Sequence, residues 1–237
     1  MARRDLRPKL GKRRYVPNRI FLAYPWETYR PHYETACQSL HKKYPVYFYA
    51  VGREKGTPAI DMFQKIKEVI GTSSYAVFDA SKGNANVSLE YGLAELTPQL
   101  ELFLLIDEHT IPSRSTPGTA IIADLAGVRQ NRWRIDDPDG LKSHLEAIAE
   151  RHQYTKRFKQ WTRRHKMRGG AIASFTRIIR KFDGREEILR RELVDELVSD
   201  STRATEQEVD QRLKRLHDAG LITITRGREW ASKVWIS

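Results

Sequence analysis

Apolar positions in the first part of the chain come in short runs separated by amphipathic stretches. Residues 19–24 (RIFLAY), 46–51 (VYFYAV), 75–78 (YAVF) and 102–106 (LFLLI) are runs of strand length, the first stopped by Pro25. Between them, 29–43 places Tyr33, Ala36, Cys37 and Leu40 on one helical face. Residues 60–70 carry Met62, Phe63, Ile66, Val69 and Ile70 at helical spacing, and 86–96 predicts a third helix. A polar, proline-containing loop over 109–118 leads to a short strand near 127–135 and a helix from 141 to about 152. Strands this apolar, alternating with helices, predict a mostly parallel α/β sheet with helices on both faces. Such sheets bind ligands beyond the carboxyl ends of their strands, which puts Tyr24, Gly52, Asp79 and Asp107 on the expected functional rim.

From residue 171 the pattern changes to short helices, expected over 173–181, 189–198 and 205–219. Thr205 and Glu208 form a capping box, Val209, Leu213 and Leu216 make an apolar face, and Gly220 ends the last helix. Segments 221–225 and 229–236 flank Arg226-Gly227-Arg228 as a hairpin. Three short helices closed by a hairpin predict a small winged-helix domain. Before it, residues 151–168 carry eight Lys or Arg and no acid, with Tyr154, Phe158 and Trp161 spaced to share one face as an interface stripe. Gly169-Gly170 follows as a predicted hinge. The expected organisation is therefore a flexible basic arm over 1–18, an α/β domain over 19–150, a basic linker helix over 151–170 and a winged helix over 171–237.

Charge sharpens this picture. The net charge is +12, with a pI near 9.8, and it is concentrated in the arm (Arg3, Arg4, Arg7, Lys9, Lys12, Arg13 and Arg14 against Asp5) and in 151–168. That distribution points to an acidic partner such as nucleic acid. Arg212, Lys214 and Arg215 on the third C-terminal helix, Arg226, Arg228 and Lys233 on the wing, and Arg163 and Arg164 in the basic run are the expected contacts. Basic helix faces are also commonly just solvated, and winged helices also dock proteins. Sequence composition excludes other classes. No apolar run is long enough to span a bilayer, no signal core is present, Cys37 is the sole cysteine, and the seven histidines lack metal-ligand spacing. The expectation is a cytoplasmic protein with no membrane association, no metal and no required cofactor.

The most informative segment is Asp79-Ala-Ser-Lys-Gly-Asn84-Ala-Asn86-Val-Ser-Leu-Glu90-Tyr-Gly92. A strand delivers Asp79 to the rim, a tight loop follows, Asn86 is the expected N-cap, and Glu90 is expected near the first turn of the next helix. Gly92 would let a ligand or backbone approach closely. A carboxylate placed there could stabilise oxocarbenium character at a sugar C1′ or form a glycosyl ester with it.

This pattern resembles the TIR-like and nucleoside 2-deoxyribosyltransferase-like superfamily, whose members carry a glutamate on the helix after the third strand. The resemblance extends to RIFLAY and to Asp124-Leu125-x-Gly127-x-Arg129, covering about residues 19–148 by order of elements. It implies a flavodoxin- or Rossmann-like sheet and an N-glycosidase that cleaves the C1′–N bond of NAD, a nucleoside or a nucleotide. Glu90 and Asp79 would be catalytic, and Tyr24, Asn84, Asn86, Gly92 and Asp124 would bind substrate. Where deoxyribosyltransferases carry an acid before the nucleophile this sequence has Asn84, so hydrolysis or a different substrate is favoured over transfer between bases. The two-part architecture is also similar to effectors accompanying bacterial retrons. That likeness implies a phage-defence toxin restrained by a reverse transcriptase and its DNA or DNA–RNA hybrid, with oligomerisation open. Two other readings use the same residues: a non-catalytic transcriptional regulator that senses a nucleotide and binds DNA, and a docking subunit that does neither.

Overall fold

The computed structural model describes residues 15–51, 59–111, 130–185, 187–200, 204–225 and 232–237. Strands β1 (Arg19–Ala23), β2 (Tyr47–Tyr49), β3 (Tyr75–Asp79), β4 (Glu101–Asp107) and β5 (Gln130–Trp133) form one parallel sheet in the order β2-β1-β3-β4-β5. That order is flavodoxin-like, with its reversal of direction between β1 and β3. The near-continuous apolar runs are explained by burial on both faces. Ile20, Leu22, Val77 and Leu105 pack with helices α1 (Trp26–Lys43) and α4 (Pro138–Arg151). Their neighbours Phe21, Ala23, Ala76, Phe78 and Leu104 point the other way, toward α2 (Ala59–Thr72) and α3 (Ala85–Glu95).

Helix ends follow local chemistry. The Asp137 side chain accepts from Gly140 N, and Pro138 occupies the first turn of α4, where its missing N–H costs nothing. Helix α1 starts three residues before the predicted position, straight after Pro25, and carries Pro31 inside it.

The C-terminal part comprises α5 (Gln153–Arg164), α6 (Gly169–Arg180), β6 (Ile188–Leu189), α7 (Arg190–Ser199), α8 (Glu206–Asp218), β7 (Ile222–Ile224) and β8 (Lys233–Ile236). The three strands form an antiparallel sheet in the order β6-β8-β7. Strand β6, two residues long, gave no periodic signal in the sequence. The capping box at Thr205 and Glu208 is formed with both of its hydrogen bonds.

Within residues 151–170, expected to be a basic linker helix ending in a glycine hinge, Gln153–Arg164 forms helix α5 with one face packed into the core. Gly169 and Gly170 open α6. Tyr154 and Phe158 are buried in the larger core, which runs from the α/β part into the C-terminal helices. The Tyr154 hydroxyl donates to Leu221 O at 2.8 Å, and Arg157 donates to Ser237 O at 3.1 Å and to Gly220 O. His152 caps α5 by accepting from Tyr154 N at 3.2 Å, and its Nε2 lies 2.6 Å from Ser74 Oγ. Burial pushes its pKa down to about 3, so the ring stays neutral. Alternating apolar and basic residues in this stretch thus record a helix with one buried side.

Candidate active site at the sheet switch point

The reversal of strand order opens a crevice beyond the carboxyl ends of β1 and β3, and a cavity of about 580 Å³ lies there. One wall is the turn from β1 into α1, Tyr24 to Thr28; Ala50 and Val51 after β2 form another; Lys82, Asn84, Asn86, Val87 and Glu90 close the third. Asn86 and Glu90 are four residues apart on α3 and so share the face turned to the cavity.

Glu90 is the chemically distinctive member. It is the sixth residue of α3, not a first-turn residue as expected, so the dipole of the helix start does little for its charge. It makes no hydrogen bond or ion pair among the described residues. Desolvation alone pushes its pKa up to about 7. A carboxyl group in this state is poised between acid and carboxylate near neutral pH, with its lone pairs uncommitted.

Asp79 has a different situation, and the catalytic role expected for it does not fit. It is fully buried, it does not line the cavity, and its oxygens are saturated. It accepts from Tyr33 Oη at 2.6 Å, Trp133 Nε1 at 3.1 Å, Ser81 N at 2.9 Å and the Ser81 hydroxyl. Burial raises its pKa to about 6 while those hydrogen bonds pull it down. Asp107 repeats the arrangement one strand over, accepting from Tyr29 Oη at 3.0 Å and from Ile135 N at 3.3 Å. The Ser81 hydroxyl also accepts from Asp107 N at 2.7 Å, linking the two strand ends. These carboxylates tie α1, β3, β4 and β5 together beneath the site. They build the rim and leave the cavity to other groups.

Both asparagines line the cavity, but the helix cap is Asn84. Asn84 is the N-cap of α3, its Oδ1 accepting from Asn86 N at 3.0 Å and Val87 N at 3.2 Å. Asn86, expected as the cap, is an exposed wall residue. Tyr24 is buried against the cavity in a stack with Trp26 on one hand (centroids 5.5 Å) and Tyr33 on the other (4.3 Å). Sequence reasoning missed Trp26 and Lys82. Lys82 sits in the left-handed region at φ 61°, followed by Gly83 at φ 57°. From this turn its ammonium donates to Thr28 Oγ1 at 3.0 Å, beside the first turn of α1. The turn sequence Ser-Lys-Gly signalled the bend but not where the lysine would reach.

Gly92 is exposed, away from the cavity, and a Cβ built there meets nothing within 4 Å. The close approach expected of it is not made. Gly92→Ala should therefore stabilise the protein by about 0.5–1 kcal/mol through helix propensity alone. A lower urea midpoint for the alanine variant would show a constraint that this surface does not reveal. Asp124, Gly127 and Arg129 lie outside the described residues, as do Gly52, Arg226 and Arg228.

Of the other basic candidates, Lys233 donates to Glu187 Oε1 at 2.6 Å and Arg212 lies 3.9 Å from Glu208, so both are already compensated. Arg163, Arg164 and Lys214 are exposed without a carboxylate partner among the described residues. Arg215 is exposed too, and its guanidinium lies 5.2 Å from the Phe175 ring centroid. No His, Cys, Asp or Glu group among the described residues is arranged to hold a metal, and no helix among them is long and apolar enough to cross a membrane.

Comparisons with known proteins give little beyond this geometry. No protein-family model and no curated protein matches the sequence. Among solved structures, the 2-desoxiribosyltransferase from Leishmania mexicana is similar at 18% identity with a TM-score of 0.35. The likeness covers 39% of this chain and 66% of that one, so this chain spans just under two thirds of its neighbour's length.

Proposed function

We propose that the switch-point cavity is the active site of an N-glycosidase acting on a nucleoside, a nucleotide or NAD, with Glu90 as the group that meets the sugar. The observation that carries this reading is an unpaired, desolvated carboxyl group on the wall of a polar cavity. As the C1′–N bond breaks, its electron pair leaves with the base. The Glu90 carboxylate then either stabilises the cationic C1′ or bonds to it as an ester, which water hydrolyses to free sugar and the original carboxylate. Asn86 and the Nδ2 of Asn84 supply hydrogen bonds to sugar or base, and Lys82 supplies a positive charge. Tyr24 shapes the wall. NAD or a nucleotide is thus substrate, and the proposed chemistry uses no cofactor.

The C-terminal part is read as a winged helix that brings the enzyme to a nucleic acid. The succession α6, β6, α7, α8, β7, β8 and the sheet order β6-β8-β7 support that reading. The further proposal of a defence effector held by a reverse transcriptase and its DNA or DNA–RNA hybrid is tested by co-purification with such a partner.

Purified protein incubated with NAD and a panel of nucleosides and nucleotides should release free base, followed by chromatography. The ionised form of Glu90 is the active one, so the rate should rise with pH to a plateau through an apparent pKa of about 7. A rate that falls across that range would assign Glu90 to proton donation. Binding of a nucleotide with no base released would make the cavity a sensor.

A further inference from the structure

We propose that a single strand of nucleic acid binds in the groove between α5 and α8, with phosphates on Arg164 and Arg215 and a base against Trp161. The proposal rests on reading the C-terminal part as the nucleic-acid-binding part, but not on the chemistry of the cavity. The groove has a volume of about 480 Å³, and its lining includes Arg157, Trp161, Arg164, His165 and Arg215 and one acid, Asp218.

Charge separates the two helices sharply. Helix α8 carries Glu206, Glu208, Asp210 and Asp218 against Arg212, Lys214 and Arg215, and Arg212 is already near Glu208. A helix with more acids than bases is a poor element to lay into the phosphate-lined major groove of a duplex. Helix α5 carries Lys156, Arg157, Lys159, Arg163 and Arg164 with no acid. The positive field therefore belongs to the α5 side, and Arg215 is the residue of α8 that joins it.

The groove also supplies a ring. Trp161 is half-buried, with Phe175 edge-on at 4.9 Å between centroids and His165 at 5.9 Å, so its indole is braced where it meets the groove. Guanidinium groups beside a fixed aromatic side chain suit a backbone with unstacked bases. A cleft of this size between two helices admits one strand. Reading the bases of a duplex needs an element that enters its groove. Arg157 is engaged with Gly220 O and Ser237 O, which fixes the floor and leaves Arg164 and Arg215 to meet phosphate.

Fluorescence anisotropy with a labelled oligothymidylate of about twelve nucleotides, alone and paired with its complement, tests this. The single strand should bind more tightly than the duplex. Arg164→Ala with Arg215→Ala should weaken it by about tenfold or more and lower the salt slope by about 1.4, two phosphate contacts' worth for a single strand. Trp161→Leu should weaken binding by about fivefold or more. Lys42→Ala with Lys142→Ala, an equal loss of charge elsewhere, should change affinity by less than about twofold. Because Arg215 packs on Phe175, Arg164→Glu alone serves as a second variant, with circular dichroism to confirm the fold. Preference for the duplex, or equal losses in the groove and control variants, would overturn the proposal. Base release measured on the same preparations tests the cavity separately.

Discussion

Glu90→Gln is expected to abolish base release while making the protein more stable. Loss of the carboxylate removes the group proposed to meet C1′, and activity should fall by at least about a thousandfold, the upper range for a directly acting side chain. Stability should move the other way. The folded protein raises this carboxyl from its ordinary value to about 7, so between about pH 4.5 and 7 the folded state holds its proton more tightly than the unfolded chain does. The associated stability is complete below the lower value and is lost as pH rises through the upper one. At pH 8 the ionised, unpaired carboxylate should weaken the fold by about 1–3 kcal/mol, which a neutral amide of the same shape avoids. Urea midpoints of both proteins at pH 5 and pH 8 isolate the effect. The other raised carboxyls among the described residues, Asp79 and Asp183, are present in both proteins and cancel in the difference. A glutamine variant that is fully active would remove Glu90 from the chemistry. One that gains nothing at pH 8 relative to pH 5 would mean the carboxylate is solvated or paired.

Asp79→Ala is expected to be the opposite kind of change, a structural loss of about 3–5 kcal/mol. Three neighbouring residues donate to this carboxylate, and truncation strands the Trp133 indole N–H, the Tyr33 hydroxyl and Ser81 in a region with no water access. Against a typical total of about 5–15 kcal/mol, such a loss brings the protein close to unfolding at ordinary temperature. Asp79→Asn keeps the volume and one acceptor oxygen but turns an N–H₂ toward existing donors, so it should cost about 1–3 kcal/mol. Urea midpoints by circular dichroism follow both variants. If either remains as stable as the parent and yet loses all base release, Asp79 acts in the reaction and the cavity must reach further under the sheet than its walls indicate.

These two carboxylates show how far residue order carries. The alternation of strand and helix, the apolar strands and the helix boundaries near 43, 95 and 218 follow from local periodicity and capping, because those signals lie within one or two turns of chain. The same locality made the Asp79-to-Glu90 segment conspicuous and placed Glu90 on the right helix. Local sequence does not decide which asparagine caps α3, since Asn84 and Asn86 are both good caps and the choice depends on where the preceding turn delivers the chain.

Sequence by itself determined a parallel α/β sheet, a helical and hairpin C-terminal part, and one helix carrying a candidate carboxylate. Tertiary structure alone decided which acid is free. Asp79 meets Tyr33 and Trp133 from 46 and 54 residues away, whereas nothing among the described residues reaches Glu90. It also decided what the basic helix after residue 151 packs against, because Tyr154 finds Leu221 across 67 residues. Distant partners like these are set by how helices and sheet pack together. Local propensity is blind to that, because side chains on one periodic face look alike whether they meet a cavity, a core or water.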